Sequence, residues 1–181
     1  MKKILVRVLN AIHVALVWAA SALIVGMVVI ISANVFLRFA FNTGIIWSEE
    51  VALLFIVWFV FISFGLGVRQ RLHITLSILP KGRIPKWLDA ALDFLGEIVM
   101  LIVGAVMVVY GGKLVGFTMR SIMPATGWPA GIMYLALPFA GVSIVVESLM
   151  HLLRFDGKDA ALDAYLSGEG PAAEVFGGDN A

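Results

Sequence analysis

The sequence has no cysteine, which removes disulfides, thiol nucleophiles and Cys-ligated metal sites from consideration. Charge is scarce as well: only 14% of residues are Asp, Glu, Lys or Arg, too few to cover a soluble domain of 181 residues with polar surface. Histidine occurs three times. No pair of histidines has metal-binding spacing on a helix, and no Gly-rich loop precedes a Lys as phosphate binding requires. Ser143 and His151 share a predicted helix but stand two turns apart, so no nucleophile has a base within reach. These absences argue against an enzyme, and the near-neutral formal charge of +1 gives no reason to expect a nucleic-acid partner.

What the chain has instead is apolar length. Hydrophobic residues make up 61% of it. A bilayer core about 30 Å thick needs about 20 apolar residues per spanning helix. Four runs qualify, at about 11–36, 47–68, 92–115 and 129–152. The predicted fold is an all-α integral membrane protein, with a four-helix transmembrane domain over 1–155 and a disordered cytoplasmic tail over 156–181. Lys2, Lys3 and Arg7 ahead of an apolar run also resemble a signal peptide, with Ala20-Ser21-Ala22 as the small-residue site. The run continues to Phe36, so an uncleaved first helix is expected.

The basic residues orient the spans. Lys2, Lys3, Arg7, Arg69, Arg71, Lys81, Arg83, Lys86, Arg154 and Lys158 fall on the side of the termini, against Arg38, Lys113 and Arg120 on the other. Ten against three predicts cytoplasmic termini by the positive-inside rule. Between helices two and three, Leu72, Ile74, Leu76 and Ile78 alternate with polar residues around Arg69, Arg71 and His73, before Pro80 and Pro85. A lone strand in lipid would leave its backbone unpaired, so a cytoplasmic segment lying at the membrane interface is expected there. Pro138 should bend helix four.

Ionisable residues inside spans cost roughly 2.5–3.5 kcal/mol near the bilayer centre and therefore need a reason. Arg38 and the pair Glu49 and Glu50 flank the short loop after helix one, at similar depth. They form either an ion pair that locks the hairpin or meets a partner subunit, or a set of side chains reaching to the headgroups. Nearer the termini, Asp89, Asp93 and Glu97 make an acidic stripe on helix three, with Glu147, His13 and His151 in the same layer. A proton or cation relay is one reading of that layer. Structural inter-helix hydrogen bonding is the other, and it is favoured because nothing acidic continues into the outer half.

The run Asn34-Val35-Phe36-Leu37-Arg38-Phe39, then Phe41-Asn42, Trp47-Ser48-Glu49-Glu50 and Trp58, resembles the small (Q-type, DctQ-like) membrane subunit of tripartite ATP-independent periplasmic (TRAP) transporters. His73 after a basic turn, Pro80, and Leu137-Pro138 add to the likeness, which spans about residues 10–155. It implies a non-catalytic scaffold in the bacterial inner membrane, paired with a large permease that carries the substrate and sodium sites. A periplasmic binding protein would deliver the substrate, commonly an organic acid. It also implies no cofactor and no transport site in this chain, with Asn34, Arg38, Trp47, Glu49 and Glu50 as inter-helix or subunit-interface candidates. The acidic, Gly-rich tail matches no role in that family. Two other readings are a self-sufficient small homo-oligomeric channel or transporter and, more distantly, an intramembrane enzyme.

Overall fold

The computed structural model describes residues 2–69 and 86–152. The expected interfacial segment, with Arg71 and His73, lies outside those residues, as does the tail over 156–181. Among the described residues five helices follow one another: α1 (Lys2–Phe41), α2 (Ser48–Arg69), α3 (Lys86–Thr118), the short α4 (Gly131–Tyr134) and α5 (Ala136–Leu152). Four stretches are long and apolar enough to cross a membrane: Asn10–Phe41, Ser48–Val68, Phe94–Thr118, and Gly131–Leu152 across α4 and α5. The protein is an all-α, multi-pass membrane protein with four such spans.

α1 is longer than its apolar run alone requires. Its 40 residues extend about 60 Å at 1.5 Å per residue, about twice the hydrocarbon thickness. Even a tilt of about 40° leaves it too long for the core, so it projects beyond the lipid tails. The fourth span is interrupted at Leu135, one turn before Pro138. Proline has no N–H to return to the carbonyl four residues earlier, here Tyr134, and its ring crowds that carbonyl. The ladder resumes with the Phe139 N–H donating to the Leu135 carbonyl at 3.2 Å.

The spans pack in a row. Among the described residues the backbone of α1 approaches only α2, α2 approaches α5, and α5 approaches α3; α1 meets neither α3 nor α5 within 8 Å between Cα atoms. The two outer helices accordingly bury 11% and 17% of their most apolar stretch, whereas the inner two bury 33%. A square bundle would have buried one side of every helix equally. The row instead leaves two broad apolar faces toward lipid or other protein, carrying residues such as Val25, Val29, Ile102 and Val106.

The tightest seam is between α3 and α5. A Cβ added to Gly141 would lie 2.9 Å from the Gly104 carbonyl oxygen and 2.9 Å from the Val108 nitrogen, both backbone atoms that cannot rotate away. Small residues at a seam let two helix backbones approach this closely. Gly141→Ala should therefore destabilise the chain by about 1–3 kcal/mol through overpacking. Gly112→Ala should be neutral or slightly stabilising, since nothing stands within 4 Å of that position. Thermal unfolding of the two variants in detergent measures the difference.

Candidate functional site

Among the described residues the buried polar side chains of the membrane domain gather toward its two ends. At the hairpin end, α1 stops at Phe41 because Asn42 takes a left-handed conformation, φ 53°, which Asn tolerates better than most residues. Thr43 N–H then returns to the Leu37 carbonyl at 3.4 Å. Asn34, two turns back inside α1, accepts the Ile45 N–H on its Oδ1 at 2.7 Å. Ser48, fully buried at the start of α2, donates its hydroxyl to the Ile45 carbonyl at 2.7 Å. Both backbone groups of Ile45 are thus satisfied and the turn between α1 and α2 is fixed. Asn34→Ala should cost about 1–3 kcal/mol by orphaning that N–H, and Asn34→Asp should recover most of it; denaturant unfolding of the solubilised chain checks both.

Glu50, in the first turn of α2, joins this hairpin to the loop between α3 and α4. Its Oε1 accepts the Ala125 N–H at 2.8 Å. Its Oε2 accepts both the Thr126 N–H and the Thr126 hydroxyl at 2.8 Å. The loop has its own frame: Ile122 bridges Pro129, Met123 N–H donates to the Trp128 carbonyl, and Gly127 sits at φ 72° in the turn. One carboxylate therefore seats an already ordered loop against α2. Two turns deeper, Trp58 donates its indole N–H to the Ile132 carbonyl at 3.1 Å and packs its ring on Phe139.

The terminal end is built from histidine–carboxylate pairs. His13 Nε2 of α1 lies 2.8 Å from Glu147 Oε1 of α5, with both side chains at 7% exposure or less. His151 Nδ1 of α5 lies 3.0 Å from Glu97 Oε1 of α3. Asn10 and Ser148 are buried in the same layer. The His13–Glu147 pair spans two helices whose backbones do not touch, and in this layer α5 is held from both sides.

Of the residues singled out in the sequence, Asn34, Glu50, His13, Glu97, Glu147 and His151 thus have specific partners. Arg38 is exposed and makes no ion pair among the described residues; Glu49 and Trp47 are exposed as well. Asp93 and Arg69 sit on α3 and at the end of α2 with side chains outside the described set, together with Arg71 and His73. Sequence reasoning passed over Ala125 and Thr126, whose only signal was a loop dense in turn residues between Pro124 and Pro129. Among the described residues no group of three or more His, Asp or Glu could hold a metal ion. What the site can do is brace: each polar contact fixes one helix or loop on another.

The family model described as "Tripartite ATP-independent periplasmic transporters, DctQ component" matches residues 27–156, well over half of the chain. The chain belongs to that family. Two Haemophilus influenzae strain Rd proteins described as TRAP transporter small permease proteins are similar to it. One is 27% identical over 134 residues, covering 71% of this chain and 81% of the relative. The other is 26% identical over 141 residues, covering 77% of this chain and 84% of the relative. As a DctQ component the chain is a subunit of a transporter assembled from several components, and not an enzyme. All the braces of the hairpin end fall within the family match. At the terminal end Glu97, Glu147 and His151 fall within it, whereas His13 precedes it.

Proposed function

We propose that this chain is the non-catalytic scaffold subunit of a sodium-driven tripartite importer of an organic acid, a dicarboxylate or similar carboxylate. It works beside a large permease that carries the substrate and sodium sites, and a periplasmic binding protein delivers the substrate. The observation that carries the reading is where the buried polar groups lie. Asn10, His13, Glu97, Glu147 and Ser148 lie at one end, Ser48 at the other, and the buried core between them is aliphatic, with residues such as Ile62, Ala140 and Ile144. A charged substrate crossing this chain would need charged or strongly polar partners through the middle of the membrane, and the described spans carry no charged side chain there, only half-buried hydroxyls such as Ser63 and Ser143. A row of helices fixed at both ends suits a stationary element against which another subunit moves.

The ten-to-three division of basic residues supports placement in a bacterial inner membrane with both termini cytoplasmic and the Glu50-held loop in the periplasm. The test is purification of the tagged chain in mild detergent, followed by reconstitution. A large permease should co-purify, and uptake driven by a sodium gradient should require both subunits and the binding protein. A homo-oligomer that transports or conducts alone would overturn the proposal. Cysteines introduced near 42 and 124 should be labelled in intact cells, and those near 83 and 160 only after permeabilisation.

A further inference from the structure

On one face of the row, α1 and α5 rise on either side of α2 and leave a trough of about 480 Å³. Leu16 and Ala19 line one wall, Phe139 the other, and Phe55, Trp58 and Ile62 lie along α2 between them. We infer that this trough is a binding site for a single phospholipid acyl chain, held as a structural component of the subunit. This goes beyond the transport reading and does not depend on it.

Three observations commit the site to an acyl chain. The lining is almost wholly apolar and belongs to stretches that cross the membrane, where the surrounding solvent is hydrocarbon; a pocket of that character takes an apolar ligand and excludes water. The second observation is width. His13 stands about one turn before Leu16 on α1, and Glu147 stands about two turns after Phe139 on α5. Their side chains meet at 2.8 Å, so the two walls are tied across the end of the trough. A helix about 10–12 Å across with its side chains does not fit between walls joined in that way, whereas a polymethylene chain does. The third is the shape of the wall. Ala19 and Ala22 stand where larger residues would fill the space, and both are exposed. The His13–Glu147 bridge closes the terminal end, so the chain enters sideways from the bilayer and runs along Trp58.

Trp58 supplies the readout. The full-length chain is prepared with Trp58 or Trp18 as its single tryptophan, the others changed to Phe. Each is reconstituted in vesicles of phosphatidylcholine brominated midway along one acyl chain, bromine being a contact quencher of indole fluorescence. Trp18, exposed on α1 and not part of the trough, reports bulk lipid and correct insertion. Trp58 should be quenched, and Ala19→Leu or Ala22→Leu, which add bulk to the wall, should remove most of that quenching while leaving Trp18 unchanged. Phospholipid should also remain with the unmodified chain through detergent washing, in native mass spectra, and be lost from the filled variants. Equal Trp58 fluorescence in brominated and unbrominated vesicles would overturn the inference. So would quenching that the filled variants leave intact, or quenching of the isolated chain that disappears when a partner subunit is bound, since the occupant would then be protein.

Discussion

Glu50→Ala should release the loop between α3 and α4 and cut assembly of the transporter severalfold, while Glu49→Ala one residue away should change little. Glu50 accepts two backbone N–H groups and a hydroxyl from Ala125 and Thr126, and no other described side chain replaces it as their acceptor. Its neighbour points elsewhere: adjacent helical residues are about 100° apart around the axis, which leaves Glu49 exposed. Glu50→Gln should be intermediate, because one amide oxygen still accepts while the amide NH2 faces an N–H donor. The measurements are limited proteolysis of the loop over 119–130 and the yield of co-purified partner. Equal protease resistance in the wild type and Glu50→Ala would show that the loop's own frame suffices and that the carboxylate is incidental. Exchanging Arg38 and Glu49 should rescue nothing in the isolated chain, since Arg38 has no ion pair among the described residues.

The spans were legible in the sequence because lipid reduces the problem to one variable. About 20 apolar residues are required per crossing, and runs such as 11–36 and 51–68 supply about that length without an Asp, Glu, Lys or Arg. The acidic and histidine layer was legible too, since counting turns inward from each helix end places Glu97, Glu147, His13 and His151 at one level. What counting cannot supply is who faces whom. That depends on the order of helices in the row, and nothing in the amphipathicity of uniformly apolar helices records it; a helix apolar all round presents no stripe to read. The same gap affected Arg38 and Glu50. Proximity in the hairpin left open whether they pair or reach separately to the headgroups, and the rotation of α2 aims Glu50 at a loop about 75 residues later in the chain. Thr126 gave no warning, because a Thr in a turn usually bonds locally.

The second large effect concerns the histidine–carboxylate pairs. His13→Leu should destabilise the chain by about 3–5 kcal/mol, since it removes a partner of a carboxylate that is buried away from water. Glu147→Leu should cost less, about 1–3 kcal/mol, because an imidazole that loses this carboxylate can remain in its uncharged form. Combining the two should recover much of the loss, as replacing a buried pair with apolar side chains of similar volume often does. A double variant no more stable than the worse single would mean that other contacts of Asn10, His13 and Glu147 carry the layer. Function separates a brace from a proton path. Glu97→Gln keeps an oxygen that accepts from His151 and Glu147→Gln keeps one beside His13, but neither can carry a proton on a carboxylate, so a brace predicts that the reconstituted transporter retains most of its uptake. Assembly with a normal yield but abolished uptake in either Gln variant would identify the layer as a relay, and the scaffold assignment of this subunit would fall with it.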